Sequence, residues 1–507
     1  MSQHGKPIQA CACFGQPYVK VKVLCPAPLV PASDTSEHVL VDERGPVGEC
    51  DSRPAAGSSI FKGMAGHRLL ILGGGFGGLD VARAIGKSRA AREYWDALLI
   101  DKENFFQFNP LLPAVAVGAV ETRHIVYPLR DMARHRHIRF QKNKVRRIDL
   151  DSKCVQLHNG LMESYDTLVI AIGSVTNWFG VPGAEQYARP FKTIVDAMTL
   201  RARVVELFEM AEQAHTDAQR RRLLSFVVVG GGVTGVEVAA ELIEMARETL
   251  LPRYPSLSRS HLSVTILEGG DRLVRAARPE HSQYVERFLA HRGVRVRLGA
   301  RVVRVEPHAV ELGDGTRLDS FTTLWTTGVT PPEVVRELPL RLHRDGRVCV
   351  DDHLRALRAD GTPVEDVHVI GDCAASPRAD GVMQPQLSQT AIAMGAYVGD
   401  TLVGRAHGKT AKPFSFRDVG YIISLGKHSS VLELFGVRAS GQIAWLAWAG
   451  AYLVKMVGFR KQLEVGIDHL THMLFQHDTS QILNRRVILS DEELNLALGD
   501  EHPTSIR

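Results

Sequence analysis

Twice in this chain an apolar run ends in glycines spaced G-x-G-x-x-G and passes at once into a helix-forming segment. The first run is Leu69 to Leu72, followed by Gly73, Gly75 and Gly78, with Gly77 filling a gap. The second is Phe226 to Val229, followed by Gly230, Gly232 and Gly235. Buried parallel strands read as such unbroken apolar, β-branched runs. The first glycine of the pattern permits a tight turn, the second lets backbone approach a pyrophosphate, and the third lets the helix pack close to the strand. The phosphates then meet free N–H groups and the positive end of the helix dipole. Each copy is followed by a further strand ending in an acid. Asp101, with Lys102 beside it, lies about 20 residues past Gly78, the spacing of a carboxylate that binds a ribose hydroxyl. Glu268 plays that part for the second copy, after a longer connection containing Pro252 and Pro255. A carboxylate there favours a free 2′-OH and repels a 2′-phosphate, hence NADH over NADPH. Two dinucleotide sites in one chain point to FAD on one and a nicotinamide dinucleotide on the other.

The 507 residues suffice for about three domains. A net charge of +5 is too mild over this length to argue for nucleic acid. Seven cysteines (Cys11, Cys13, Cys25, Cys50, Cys154, Cys349 and Cys373) show neither zinc spacing nor a secreted disulfide framework, so no metal site and a reducing compartment are expected. No apolar run reaches the length of a membrane span. Residues 1–66 are rich in Pro, Gly, Ser and acids and read as a disordered or weakly ordered extension, with Met64 as an alternative start.

In chain order, the expected architecture is α/β. Residues 67–195 form the first part of an FAD-binding domain, 196–345 an NADH-binding domain, and 346–410 the second part of the first. Residues 411–490 make a C-terminal docking region, and 491–507 a tail. Asn104 to Gly118, punctuated by Pro110 and Pro113, reads as a buried irregular segment. Packing on a cofactor through Asn109, Pro110 and Leu111 and plain core packing both fit it. Strands end at Gly173, Gly328 and Gly371-Asp372, and a helix is expected over Ala197–Gln219.

This arrangement resembles the two-dinucleotide-binding-domain flavoproteins, whose second Rossmann-like domain is nested in the first. The resemblance implies that Asp372 meets the ribityl chain of FAD. The helix after the first fingerprint, GLDVARAIGKSRAAR, lacks the cysteine pair of the disulfide reductases. The segments NFFQFNPLLPAVAVGAVETRHIVYPLR, GGGVTGVEVAAEL, LWTTGV and VIGD make the chain similar to type II NADH dehydrogenases over about residues 67–486. That family carries A-Q-x-x-x-Q at its quinone pocket. Here Ser388-Gln389 matches A-Q, and Ala393 takes the second glutamine position. The resemblance implies that Gln389 reaches the flavin or a quinone carbonyl. It also implies that Glu237 faces the flavin–nicotinamide–quinone junction and helps pass protons. On residue pattern alone Glu237 also suits a helix N-terminal acid.

The expected C-terminal helix, Ile443–Phe459, places Trp445, Trp448, Tyr452 and Phe459 on one face, with Arg438, Lys455, Arg460 and Lys461 at its edges. Leu463, Ile467, Leu470 and Leu474 form a second stripe. Aromatic and basic side chains suit an interfacial helix, so docking at a membrane surface is expected; a core or homodimer helix also fits. The family implies a non-pumping NADH:quinone oxidoreductase, peripheral on the cytoplasmic face of a bacterial inner membrane. A soluble reductase of a ferredoxin-like protein, a sulfide–quinone-type enzyme and an FAD/NADH-binding redox sensor stay open beside it.

Overall fold

The computed structural model describes residues 66–378, 380–456, 458–474, 480 and 488. The expected extension 1–66 (but for Gly66), the alternative start at Met64, the tail 491–507 and most of 475–490 lie outside the described residues.

The first sheet is built around β1 (His67–Leu72), which runs into α1 (Phe76–Lys87) and returns as β2 (Trp95–Asp101), β3 (Arg139–Lys142) and β4 (Thr167–Ile170). A second sheet is then inserted. It comprises β5 (Arg189–Pro190), β6 (Ser225–Val229), β7 (Ser263–Leu267), β8 (Val294–Arg297) and β9 (Thr322–Trp325). Between these lie α2 (Ile194–Gln213), α3 (Val233–Glu244) and α4 (Pro279–His291). The chain then goes back to the first sheet with β10 (Arg355–Leu357) and β11 (Pro363–Val369), and α5 (Ser388–Ala406) follows. The first sheet has the order β10-β11-β4-β1-β2-β3, the second β5-β9-β6-β7-β8. Every pair is parallel except β10–β11. The second unit is thus nested in the first, and the central strands β4, β6 and β9 are buried on both faces, as their unbroken apolar runs required, while the edge strands β3 and β8 are partly exposed.

Glycines let the layers approach. A Cβ on Gly78 would strike the Gly73 carbonyl, one on Gly235 the Gly230 carbonyl, and one on Gly395 of α5 the Gly77 backbone of α1. The C-terminal region adds a three-stranded antiparallel sheet, β12 (Gly420–Ser424), β13 (Ser430–Leu434) and β14 (Val437–Gly441), then α6 (Gln442–Lys455) and α7 (Phe459–Leu474).

Three expectations change. Ala197–Gln219 is not one helix: α2 stops at Gln213, and Thr216 caps a separate helix, Asp217–Leu223, with a reciprocal Thr216–Gln219 capping box. Asn104–Gly118 is more regular than its prolines suggested. A short strand, a 3-10 turn over Asn109–Leu111 and a helix over Leu112–Ala116 use Pro110 and Pro113 in first turns, where a missing N–H costs nothing. Ile443–Phe459 is not one helix either. α6 ends at Lys455, and Phe459 opens α7.

The aromatic face of α6 also points the other way from expectation. Trp445 and Trp448 are buried, the first edge-on and the second tilted against His469, and Tyr452 packs edge-on to Phe108. The exposed face of α6 is aliphatic, with Ile443 (76%), Leu446 and Val454 (80%), and it is continued on α7 by Phe459, the one expected outward aromatic that is exposed, and by Leu463, Ile467 and Leu470. Both faces of α6 are apolar, so helical periodicity could not say which one the rest of the chain would cover.

Candidate functional site

The two glycine turns build near-identical cradles. Gly73 (φ +103) and Gly230 (φ +110) are held in a backbone region that favours glycine, and their N–H groups bond Ile100 O and Leu267 O across the sheets. Gly75 and Gly232 are the N-caps of α1 and α3. Neither helix has a side-chain cap or an acid in its first turn. Nothing lies within 4 Å of where a Cβ on Gly75 or Gly232 would stand. Each cradle therefore leaves open space in front of uncapped N–H groups, the geometry a pyrophosphate needs.

The strand-end acids brace the turns. Asp101 Oδ2 accepts from Gly74 N (2.5 Å) and Oδ1 from Glu103 N (2.7 Å). Glu268 Oε2 accepts from Gly231 N and Oε1 from Gly270 N, both at 2.7 Å. A carboxylate has about four lone-pair positions, so each keeps capacity for a ribose hydroxyl. Lys102 is exposed beside Asp101, while Leu111 is fully buried in the core. Asn109 accepts from Gln107 Nε2.

Gly173 and Gly371, both at positive φ, flank a polar cluster at the ends of β4 and β11. Ser174 Oγ donates to Asp372 Oδ2 and accepts from Lys192 Nζ at 2.8 Å. Gln386 Nε2 donates to Asp372 O. Lys192 is half-buried, and this desolvation pushes its pKa down although Asp372 opposes it. It precedes Thr193, the N-cap of α2, and its own N–H bonds Asp196 Oδ2. Sequence reasoning missed Lys192: one lysine in FKT carries no signal. Cys373 donates to Gly173 O, and burial pushes its thiol up to about 12, so it is no ready nucleophile. In the second unit Gly328 (φ +71) lies against the exposed Phe179 ring.

Glu237 and Gln389 are tied to opposite ends of β12. Ser424 N donates to Glu237 Oε1 at 3.0 Å. Gln389 Nε2 donates to Asp418 Oδ1 and Gly420 O. Strand rise puts these anchor points about 13 Å apart. Gln389 thus spends its amide donors on the 418–420 segment. Burial pushes Glu237 up to about 8, leaving it a neutral acid at neutral pH.

A family model, pyridine nucleotide-disulphide oxidoreductase, matches residues 67–395. The type II NADH:quinone oxidoreductase Ndh of Mycobacterium tuberculosis is 32% identical over 412 residues, covering 78% of this chain and 86% of that protein. The NdhA protein of the same organism, also a type II NADH:quinone oxidoreductase, is 30% identical over 442 residues, 84% of this chain and 92% of the other. Among solved structures, NDH2 from Plasmodium falciparum in complex with NADH superposes with a TM-score of 0.76 at 19% identity. That match covers 82% of this chain and 99% of the other, a likeness of fold. The nested nucleotide-binding sheets, the two open glycine cradles and these relatives together make the chain a member of the pyridine nucleotide-disulphide oxidoreductase family and, within it, of the type II NADH:quinone oxidoreductases.

Proposed function

We infer that the chain oxidises NADH and reduces a quinone without pumping protons, and that FAD sits in the first cradle with NADH in the second. The observation that carries this reading is the pair of uncapped helix N-termini in nested sheets, with a buried neutral carboxyl, Glu237, in the second helix. The residues present fit both ligands. Gly73, Gly75, Gly77 and Gly78 with α1 would hold the FAD pyrophosphate, and Asp101 its ribose, while Asp372, steadied by Ser174 and Lys192, would hold the ribityl chain. Gly230, Gly232, Gly235, Glu268 and Gly328 would do the same for NADH. Bound FAD supplies the two-electron chemistry that links the substrates. The protein supplies position, a cation at Lys192 beside Asp372, and a proton at Glu237. Overall, NADH, a quinone and one proton become NAD+ and a quinol. Gln389 presents its carbonyl on the quinone side, and Ala393 leaves extra room where the family has a glutamine.

The membrane face in this reading is the aliphatic surface of α6 and α7, not the tryptophans. A groove of about 650 Å³ between them is lined by Leu453, Val454, Phe459, Leu463, Ile467 and Leu470. Lys455 and Arg460, both exposed at the junction of α6 and α7, suit anionic head groups, whereas Lys461 is turned to Arg123 O and Glu464. No described helix is long and apolar enough to cross a membrane, so docking is interfacial, on the cytoplasmic side where NADH is available. A homodimer is the competing use of this face. Steady-state NADH oxidation by the lipid-supplemented protein, with ubiquinone or menaquinone analogues against a ferredoxin and no acceptor, tests the function. Quinone-dependent turnover is expected, and turnover with ferredoxin alone would overturn it.

A further inference from the structure

Glu237, Glu241 and Glu244 stand at i, i+4 and i+7 on α3, which places them in one line on one face, successive Cβ atoms about 5–6 Å apart. Such an acidic stripe ordinarily faces water. Here all three are buried, at 7%, 5% and 3% exposure. The C-terminal region covers them. β12 donates Ser424 N to Glu237, and the turn after it donates Lys427 N to Glu244 Oε2 at 2.8 Å. Tyr452 of α6 lies near Glu237, and His472 Nε2 of α7 stands 3.9 Å from Glu244 Oε1. Glu241 Oε2 and Glu244 Oε1 have no hydrogen-bond partner among the described residues. Burial, then the Glu244 and Glu237 carboxyls, push Glu241 up, and burial raises Glu244 as well. Burying three carboxyls in a row with cations near Glu244 alone is costly in the ionised state and cheap only when they carry protons.

The line reaches solvent at one end. Arg292, just past α4, lies 3.9 Å from Glu244 Oε2 and also pairs with Glu248, which is half exposed. Beside them a cavity of about 390 Å³ is lined by Ile243, Arg247, Glu248, Arg259, His291 and Arg292. Immediately after Glu244 the helix changes to a π-helical turn, Met245–Leu250, a form that clusters at functional positions and here carries Glu248 to the surface. At the other end Glu237 accepts from Ser424 N of β12 and lies near Tyr452 of α6, away from bulk water.

We propose that Glu244 and Glu241 relay a proton from the solvent-open mouth at Arg292 and Glu248 to Glu237, which gives it up during quinone reduction. This rests on the quinone reductase reading. Hydride from NADH brings two electrons and one proton, and the quinol needs a second proton from water. The Glu237 O–H bond breaks as the quinol O–H forms. Glu237 is then reprotonated from Glu241, Glu241 from Glu244, and Glu244 from solvent, so no net charge stays buried. Carboxyls on successive helical turns bridge the gap by rotamer change or through one water.

The test uses the holoprotein with Glu241→Gln, Glu244→Gln and Glu244→Asp. Transfer into D2O, with no substrate present, is followed in the infrared at the carboxylic C=O band that Glu237→Gln removes. Rapid mixing then measures flavin reduction by NADH and reoxidation by quinone separately. Loss of a relay carboxyl should slow exchange and reoxidation about tenfold or more, leave flavin reduction unchanged, and be partly restored in Glu244→Asp. Parental exchange and reoxidation rates in both Gln variants would overturn the relay. If the parent fails to reduce quinone, the functional reading falls, while the exchange measurement still decides the relay.

Discussion

Replacing Glu237 by Gln should change how stability depends on pH, and by an amount the structure sets. Gln is nearly isosteric, and its Oε1 can still accept from Ser424 N, so the fold and the hydrogen bond persist while the ionisation is lost. Burial raises the folded-state titration of Glu237 from the ordinary 4.5 to about 8. Below pH 4.5 folded and unfolded chains both hold the proton, and the residue adds nothing to the pH dependence. Between these values the unfolded chain releases the proton and the folded chain keeps it. The folded state then binds more protons, and parental stability falls as pH rises. Each pH unit in that interval is worth about 1.4 kcal/mol. The parent should therefore lose about 3 kcal/mol through Glu237 by pH 7 and about 5 kcal/mol above pH 8. Glu237→Gln escapes that loss. Glu244 titrates in both proteins and largely cancels in the difference, while Glu241, which the Glu237 carboxylate pushes up, is relieved in the variant and adds to its gain. Urea unfolding of the two holoproteins, at steps from about pH 5 to about pH 9, reads this directly. The variant should gain on the parent steadily with pH and then level off. A difference that stays flat across the range would mean that Glu237 ionises as it does in water, and the closed site inferred from its burial would be wrong.

Glu237→Gln should also slow reoxidation by quinone more than reduction by NADH; equal effects in rapid-mixing experiments would return Glu237 to a structural role. Gly78→Ala should fail to hold flavin, because a Cβ there meets the Gly73 carbonyl, whereas Gly75→Ala should fold and bind flavin more weakly, since only the open cradle is narrowed; the flavin-to-protein absorbance ratio separates the two. Leu446→Glu with Ile467→Glu should abolish co-sedimentation with anionic vesicles, and Trp448→Phe should not; a loss of dimer mass in solution with vesicle binding intact would assign the face to self-association instead. Glu268→Ala should narrow the preference for NADH over NADPH by about tenfold, one lost hydrogen-bonded ribose contact being worth about 1–2 kcal/mol, as a ratio of kcat/KM values.

Much of the site was legible because it is local. A strand, three glycines and a helix are contiguous, and the turn they make is dictated by φ values and close approaches within a few residues. That is why both cradles, and the acids that brace them, could be placed from sequence. Gln389 was located, but its orientation was not, since the Asp418 and Gly420 partners that hold its amide lie 29 and 31 residues away. Lys192 carried no signal at all. Its meaning comes from Ser174 and Asp372, brought to it by the ends of two strands of the first sheet.

The sequence by itself determined the α/β layering, the pairing of two dinucleotide cradles and the order in which they occur, because short-range backbone geometry and unbroken apolar runs leave little choice. Tertiary structure decided which surface each amphipathic or doubly apolar helix turns inward. It buried the tryptophans of α6 and exposed its aliphatic side. It also laid the C-terminal sheet over the acidic stripe of α3, making Glu237, Glu241 and Glu244 a buried row. A helical period fixes which residues share a face, but what covers that face depends on segments nearly 200 residues away, and only packing brings them together.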